Sequence, residues 1–339
     1  MSRHVYQSSK GGKCYVPLEE DGRIINQTTP KFAKQVSSKY GQLSERKVQQ
    51  DLLDNHGRKI SRSYIQKTTK AVNEIIEQQE RSWKYSLPTV ALGASTIAIG
   101  LDGTTTYLVG QGYREVMSGT IGFFNEKGQR VHTIYVAQAP EYGKETFKAR
   151  FSKEIELVKT LLPAANYVGL ADGAADNWSF LALYVDAQLL DFWHASEYLT
   201  PVSKVVSKSQ YKQKQWYAGA RHFLRYKEGG AAELLEDMVS FRTKRTTKSK
   251  KEKLESSITY FTNHQHQMNY AQAAEQGMPI GSGITEAACK VIVKERLCCS
   301  GMMWKEPSAQ TVLNIRTLIH TQGRWTQFWD LFDLYGRRN

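Results

Sequence analysis

The sequence has few cysteines and no long apolar segment. Its 339 residues include 4 cysteines, and none of them forms a Cys-x-x-Cys pair. A disulfide framework is therefore not expected, and the thiols should be reduced, as in cytosolic proteins. The longest apolar stretch, residues 87–101, is interrupted by Ser95 and Thr96 and is too short to span a bilayer. Because the first residues also contain no apolar signal segment, we expect a cytoplasmic protein without a membrane partner.

Acidic residues are scarce relative to basic ones. Lys and Arg number 46 against 33 Asp and Glu, which gives a formal net charge of +13 and a pI of about 9.4. Such an excess favours a polyanionic partner, either nucleic acid or an anionic membrane. Seven of the residues in 242–253 are Lys or Arg. This tract is either a solvated linker or a surface that contacts phosphates through Lys248, Lys250 and Lys251.

Apolar residues recur at helical spacing between residues 31 and 84, which predicts two consecutive helices. The first is expected to begin after the N-cap Ser44 and to end at Gly57 as its C′ residue. The second is expected to begin after Ser61 or Ser63. The predicted buried positions of the two helices are Val48, Leu52 and Leu53, followed by Ile65, Thr68, Val72 and Ile75.

Two helices joined by a turn of about four residues suggest a helix-turn-helix, because the second helix is rich in Arg, Tyr, Gln and Lys. The alternative is a small helical hairpin with no role in DNA binding. In a helix-turn-helix, side chains near the start of the second helix contact base edges in the major groove. The candidate DNA-binding residues at this position are Arg62, Tyr64, Gln66 and Lys67.

From residue 95 the hydrophobic period changes to that of strands. Three hairpin-connected strands are predicted, with Gly128 in the second turn. A helix, a strand, a second helix and a last strand follow. The predicted strands are residues 95–110, 114–125, 129–137, 167–173 and 187–193, and the predicted helices are residues 145–162 and about 177–185. The order β-β-β-α-β-α-β predicts a mixed α/β sheet, and beyond His194 the pattern is helical and basic.

Two acids follow apolar segments of this sheet, each directly before a glycine. Asp102 is predicted to end the first strand, and Asp172 to end the fourth. Functional side chains of α/β sheets lie at the carboxyl ends of strands. In a sheet of the RNase H kind the first and fourth strands are neighbours, so we expect the two carboxylates to lie side by side.

A third acid lies in the segment "MPIGSGITEAACKVIVKERL", residues 278–297, where Glu286 falls in the first turn of a predicted helix. The ordinary explanation is that an acid there favours the helix dipole and that Lys290 lies one turn further on. The other explanation is that the helix carries Glu286 to the two aspartates. In that case Gly281, Ser282 and Gly283 would allow its backbone to approach the sheet closely.

Three clustered carboxylates repel one another unless cations neutralise them. Their hard oxygen ligands suit Mg²⁺ or Mn²⁺. Two such ions about 4 Å apart activate a nucleophile and stabilise the leaving oxygen of a phosphodiester. The sequence therefore predicts a metal-dependent phosphoryl-transfer site formed by Asp102, Asp172 and Glu286.

Four segments resemble, in this order, the ISKra-type insertion-sequence transposases: "LADGAADNWSFL", "LLDFWHASEYL", "NHQHQMNYA" and "PIGSGITEAACKVIVKERLCCSGMMW". These are DDE enzymes with an RNase H-like core, distantly related to the mutator-like group. The resemblance extends from about residue 95 to "GRWTQFW" near residue 329. It is weaker through the helix-turn-helix region.

The resemblance implies that Asp102, Asp172 and Glu286 are the catalytic and metal-binding triad, with two Mg²⁺ or Mn²⁺ ions. It implies hydrolysis at the ends of a mobile element and strand transfer into target DNA. The partner is then double-stranded DNA, both the terminal inverted repeats and the target, and the protein is at least a dimer in the synapse, associated with the nucleoid. Asp191 and His194 match an Asp/Cys-x-x-His signature of related transposases, which implies a supporting role.

The sequence also departs from the family pattern. Family members often carry a Cys-x-x-Cys-Gly stretch near the N-terminus, whereas this chain has only Cys14 there, so no zinc is expected. Met303 stands where the family has an arginine in "SGMRW". The following Trp304 is either a ring that stacks on an unpaired base or a core residue.

The predicted organisation has five parts. They are an N-terminal arm at residues 1–30, a helix-turn-helix region at 31–84, the first part of an RNase H-like core at 85–194, a basic helical insertion at 195–280, and the rest of the core with the Glu286 helix at 281–339. Two other functions remain open. One is a DNA-binding protein that has lost catalysis, and the other is an actin-like or sugar-kinase-type ATPase, since "IGLDGTTTYL" superficially resembles a phosphate loop.

Overall fold

The computed structural model describes residues 4–12, 14–141, 143–172 and 174–336. Gly173 of the "LADG" segment and the outermost residues of the two predicted terminal parts, 1–3 and 337–339, lie outside the described residues. The strands are β1 Thr96–Leu108, β2 Gly112–Phe124, β3 Arg130–Gln138, β4 Asn166–Ala171 and β5 Ala187–Leu190. The helices before the sheet are α1 Pro17–Asp21, α2 Pro30–Gln42, α3 Glu45–His56, α4 Arg62–Gln79 and α5 Thr89–Leu92.

The remaining helices alternate with the last strands and then fill the rest of the chain. Those up to residue 275 are α6 Glu145–Leu161, α7 Ala175–Leu181, α8 Phe192–Glu197, α9 Leu199–Val206, α10 Gln210–Tyr226, α11 Gly230–Ser240, α12 Lys248–His264 and α13 Tyr270–Glu275. Those that follow are α14 Gly283–Ala288, α15 Glu295–Leu297, α16 Glu306–His320 and α17 Arg324–Tyr335. Between α14 and α15, Cys289–Lys294 is π-helical.

The strands form one five-stranded mixed sheet in the order β3-β2-β1-β4-β5. β2 pairs antiparallel with both β1 and β3, whereas β4 pairs parallel with both β1 and β5. The predicted mixed α/β sheet and the predicted adjacency of the first and fourth strands are therefore confirmed. Parallel pairing also places the carboxyl ends of β1, β4 and β5 toward the same edge of the sheet.

Helices cover both faces of this sheet, as the burial of successive strand residues requires. Successive strand residues point to opposite faces. Phe151 of α6 lies against Gly119 on one face, and Thr285 of α14 bonds to Thr120 on the other. Helix α6 forms as predicted because Phe147, Phe151, Ile155 and Val158 recur at helical spacing and are buried.

The prediction that β1 ends at Asp102 is wrong. β4 pairs with β1 only as far as Gly100, but β1 continues to Leu108 as a two-stranded ribbon with β2. The three β-branched residues 104–106 favour this extended backbone. Asp102 therefore lies within β1, just beyond the last residue that pairs with β4. Helix α7 and strand β5 also end earlier than predicted, at Leu181 and Leu190.

Helices α2–α4 are consecutive and pack partly on α16 and α17. The side chains of Ser44 and Ser61 accept hydrogen bonds from backbone N–H groups in the first turns of α3 and α4, as predicted. Gly57 follows α3 in the left-handed conformation that glycine adopts without steric cost, with φ 61°. Leu53 corrects the prediction, because it lies off the face formed by Val48 and Leu52 and is exposed.

Helices α8–α13 share one apolar cluster with the face of the sheet that α6 covers. Buried side chains of α9, α10, α11 and α12 contribute to that cluster. The helical character predicted for residues 195–280 is thus observed. In the described part of the chain, no helix is both long and apolar enough to cross a membrane.

Candidate active site at the edge of the sheet

Asp102 and Asp172 lie on neighbouring strands. Asp172 directly follows β4 and is exposed, and Asp102 is half-buried on β1, where its Oδ1 accepts a hydrogen bond of 2.7 Å from the N–H of Gly103. Burial raises the pKa of Asp102 above its ordinary value, and the negative charges of Asp172 and Glu286 raise it further. The three acids predicted from the sequence therefore act on one another electrostatically, as carboxylates that share a site do.

The helix that carries Glu286 lies directly on the sheet. Thr285 Oγ1 is 2.7 Å from Thr120 Oγ1 of β2. A Cβ atom on Gly100 of β1 would lie only 2.2 Å from the same Thr285 hydroxyl. The close approach expected from the glycines before the helix is thus permitted mainly by a glycine of the strand, since an added Cβ on Gly283 would meet nothing within 4 Å.

A buried carboxylate holds the loop that leads into this helix. Asp191 follows β5 and is fully buried. Its Oδ1 accepts the N–H of His194 at 2.8 Å and caps α8. Its Oδ2 accepts the N–H of Ser282 at 2.5 Å and lies 2.8 Å from Ser282 Oγ. The Ser282 hydroxyl also lies 3.1 Å from Glu286 Oε1, so Ser282 bridges Asp191 and Glu286.

Asp191, His194 and Glu286 form a group that could hold a metal ion. One ligand atom of each lies within 4.8 Å of those of the other two, and His194 Nε2 is 3.5 Å from Glu286 Oε1. Asp191 is buried, His194 intermediate and Glu286 exposed. Among the described residues, no other three His, Cys, Asp or Glu side chains have that spacing. Asp102 and Asp172 do not belong to the group.

The sequence predicted only a supporting role for Asp191 and His194. There are thus two candidate metal-binding groups: the predicted three acids, and Asp191, His194 and Glu286. The oxygens of Asp191 already accept the hydrogen bonds of Ser282 and His194, so this carboxylate is committed to the protein. Asp172 is exposed and, within the described residues, accepts one hydrogen bond, from the N–H of Ala174 at 3.4 Å. Its oxygens therefore have fewer protein donors than those of Asp191.

The helix of Glu286 continues into the π-helical segment Cys289–Lys294. Such segments interrupt the normal backbone hydrogen bonds of a helix and are frequent at functional sites. Here the buried guanidinium of Arg316 on α16 donates to the carbonyls of Val291 and Ile292, and also to that of Gly41 at 2.7 Å. Cys289 Sγ lies 3.5 Å from Asp102 Oδ2, and burial, with that neighbouring charge, raises the pKa of the thiol to about 12.

Arg296 makes a second buried link to the N-terminal helices. It donates to the carbonyl of Tyr40, 3.2 Å away, so Arg296 and Arg316 bind adjacent carbonyls near the C-terminus of α2. Cations are favoured at that end of a helix dipole. Sequence reasoning missed both arginines. The available signal was a basic residue within an apolar helical stripe, which in "TVLNIRTLIH" is Arg316.

The four candidate DNA-binding residues of α4 differ in their exposure and in their hydrogen bonds. Arg62, Gln66 and Lys67 are exposed, although Arg62 and Gln66 are hydrogen-bonded to α3 side chains. Tyr64 is half-buried, and its hydroxyl lies 2.7 Å from Thr28 Oγ1. Arg62, Gln66 and Lys67 are therefore available at the start of α4, whereas Tyr64 is held within the protein.

The C-terminal part of the basic tract 242–253 lies in helix α12. Lys248, Lys250 and Lys251 form the first turn of α12, where Thr247 is the N-cap. Lys250 Nζ donates to the carbonyl of Lys204 at 2.8 Å, whereas Lys248 and Lys251 are exposed. These lysines thus belong to a helix rather than to a flexible linker, and two of them face solvent.

Trp304 is a core residue, so of the two alternatives left open by the sequence the structure favours the core residue over the DNA-binding ring. It is 6% exposed, and its carbonyl accepts the N–H of Val109 at 2.8 Å. The guanidinium of Arg296 lies 4.6 Å from the centre of its ring. A ring enclosed in this way is not available to stack on a base. Met303 beside it is 75% exposed.

Comparison of the chain with protein-family models and with curated proteins gives no match.

Proposed function

We propose that this chain is a DDE transposase of the ISKra type that cleaves the ends of a mobile element and joins them to target DNA. The observation that carries the proposal is the pairing of β1 with β4, which brings Asp102 next to Asp172, together with the effect of the Glu286 charge on Asp102. The strand order β3-β2-β1-β4-β5 is the order of an RNase H-like sheet. The long helical segment between β5 and α14 corresponds to the insertion of that family.

The donor set fits a hard divalent cation. Burial raises the pKa of Asp102, and the charges of Asp172 and Glu286 raise it further, so a cation that neutralises the three carboxylates would stabilise them. Asp102, Asp172 and Glu286 would hold two Mg²⁺ or Mn²⁺ ions, since such ions prefer oxygen ligands. When bound, the ions supply charge neutralisation at the scissile phosphodiester and lower the pKa of the attacking hydroxyl group.

The other residues of the site position this donor set. Asp191 fixes the backbone of Ser282, and the Ser282 hydroxyl lies beside Glu286. Arg316 donates to two carbonyls of the π-helical segment and so ties the helix of Glu286 to α16. His194 is half-exposed next to Glu286 and is suited to contact the DNA beside the scissile phosphate.

DNA recognition is assigned to the basic parts of the chain. Helices α3 and α4 form the helix-turn-helix in this proposal, with Arg62, Gln66 and Lys67 at the groove and Tyr64 holding α4 in place. Lys248 and Lys251 contact phosphates. The protein acts as a dimer or higher oligomer that brings two element ends together, and it works in the nucleoid on double-stranded DNA.

The experiment is cleavage of DNA that carries the sequences flanking the gene, with and without Mg²⁺. We expect metal-dependent breaks at defined nucleotides at the ends of the element, mapped by primer extension. Glu286→Ala should reduce cleavage by several orders of magnitude, because one ligand of the charge-neutralising set is lost. Specific binding of the same DNA without any cleavage would identify a DNA-binding protein that has lost catalysis, and tight ATP binding would favour the ATPase.

A further inference from the structure

Trp193 is a large exposed ring between two residues of the candidate site. It lies two residues after Asp191 and directly before His194, whose Nε2 is 3.5 Å from Glu286 Oε1. Its neighbour Phe192 is 1% exposed, whereas Trp193 is 54% exposed. Core packing therefore explains Phe192 and leaves much of the Trp193 ring in solvent next to the carboxylates.

The ring is nevertheless held in place. A Cβ atom on Gly281 would lie 3.2 Å from Trp193 Cδ1, so the ring rests against the loop that leads to Ser282. The guanidinium of Arg221, on α10, lies 4.2 Å from the ring centre. A cation at this distance from an indole is attracted by the electrons of the ring. Trp193 is thus contacted by Arg221 and by the Gly281 loop, while 54% of the residue is exposed.

Basic residues approach the ring from helix α10, although the carboxylates of the candidate site also lie close to it. Helix α10, with the sequence QYKQKQWYAGARHFLRY, contains no acidic residue. Arg221 has neither a salt bridge nor a hydrogen bond to any other side chain or backbone group within the described residues. Nε of Arg225, one turn further on, is buried without a hydrogen-bond partner. The guanidinium of Arg221 is available to bind an anion beside the ring, which favours a nucleotide over an apolar peptide.

We propose that Trp193 and Arg221 form a stacking site for an unpaired nucleobase of the DNA strand held at the active site. The base stacks on the open part of the indole, and Arg221 contacts the adjacent phosphate. The inference rests on the proposed function, since it takes the strand at Glu286 to be DNA. Stacking on an aromatic ring tolerates any base, so the site would bind the strand without reading its sequence.

The test is binding of two single strands in buffer with EDTA, where no metal-dependent cleavage occurs. One strand is a 12-nucleotide thymidine oligomer, roughly the length that one single-strand site covers, and the other is the same backbone without bases. We expect Trp193→Ala to weaken binding of the thymidine strand by roughly five- to 100-fold and to change binding of the baseless strand little. Trp193→Phe should keep most of the affinity. Fluorescence anisotropy measures both.

Two control variants distinguish a loss of base stacking from the general effect of removing an exposed ring and from a loss of positive charge. Tyr335→Ala removes another exposed ring, 53% exposed on α17, and should leave both affinities unchanged. Arg221→Gln should weaken both strands and reduce the salt dependence by about one phosphate contact. Equal loss on both strands in Trp193→Ala, or no loss on either, would overturn the inference.

The outcome is independent of cleavage. A base-dependent loss in Trp193→Ala, in a protein that never cleaves DNA, would support the stacking site and contradict the proposed catalysis. Metal-dependent cleavage together with base-independent binding would support the catalysis and overturn the stacking site.

Discussion

A missing side chain at Gly100 decides how closely the helix of Glu286 lies on the sheet. An added Cβ would lie 2.2 Å from Thr285 Oγ1 and 3.2 Å from the carbonyl oxygen of Leu170. We expect Gly100→Ala to lower the free energy of unfolding by about 1–3 kcal/mol, as overpacking does, and to displace Glu286. Urea unfolding and Mn²⁺ titration measure the two effects.

Gly283→Ala is the matched control, because its Cβ would meet nothing within 4 Å and alanine favours a helix. It should leave the stability unchanged or slightly raised. Adding Thr285→Ala to Gly100→Ala should restore part of the stability, since the clashing hydroxyl is removed. Equal effects of Gly100→Ala and Gly283→Ala would contradict the packing described.

His132 makes the stability of the protein depend on pH. It is buried on β3, and its Nδ1 has no hydrogen-bond partner in the described part of the chain. Burial and then the charge of Arg324 lower its pKa from 6.5 to about 4. The folded protein therefore keeps His132 neutral, whereas the unfolded chain takes up a proton below pH 6.5.

The stability associated with His132 is thus complete above pH 6.5 and is lost as the pH falls toward 4. At about 1.4 kcal/mol for each pKa unit, the loss is about 3 kcal/mol near pH 4. Urea unfolding across this range should show a shallower pH dependence for His132→Gln than for the unaltered protein. Identical pH dependence of the two proteins would contradict the assignment.

At the scale of elements, local sequence predicted helices and strands where a regular pattern is reinforced by caps. Helix α3 was predicted from its cap Ser44 and from Gly57 after its end, and α4 from its cap Ser61 and its apolar face. These signals suffice because the capping hydrogen bonds join residues that are close in the sequence. The extent of β1 agrees with the strand predicted over residues 95–110, because the alternating pattern and the hairpin to β2 are local. The point within β1 where the pairing with β4 stops could not be predicted, since "LDG" looks the same whether the strand stops or continues as a ribbon.

The candidate site, too, could be predicted from the sequence only in part. The predicted order of elements, interpreted as a sheet of the RNase H kind, led us to expect that Asp102 and Asp172 would lie on neighbouring strands. The bond from Ser282 to Asp191 joins residues 91 positions apart, and no local pattern announces it. The burial of Arg316 depends on carbonyls of α2 and of the π-helical segment, so it too is visible only in the folded chain.

The first turn of α12 carries a prediction about phosphate binding. Lys248 and Lys251 are exposed, whereas Lys250 is bonded to the carbonyl of Lys204. Replacing Lys248 and Lys251 by Gln should flatten the salt dependence of DNA binding by up to about two units of slope. Lys250→Gln is the control and should leave the slope unchanged. A larger change in Lys250→Gln than in the double variant would remove these lysines from the DNA surface.

At the scale of the whole molecule, the N-terminal helices and the C-terminal part of the chain are joined through buried charge. Arg296 and Arg316 come from the C-terminal part of the chain, and both bind carbonyls at the end of α2. Removing one partner of such a buried bond leaves the other unsatisfied, which is costly. The helices proposed to hold DNA are therefore fixed relative to the helix of Glu286, as cleavage at a set distance from a bound sequence requires.

The most direct test of the account is to measure which carboxylates bind the metal. Mn²⁺ binding by calorimetry is compared for Asp172→Ala and His194→Ala, both of which alter side chains that are at least partly exposed. The account predicts that Asp172→Ala loses Mn²⁺ binding and all cleavage, whereas His194→Ala keeps Mn²⁺ and cleaves more slowly. Mn²⁺ lost in His194→Ala and kept in Asp172→Ala would contradict it, because the ion would then belong to Asp191, His194 and Glu286.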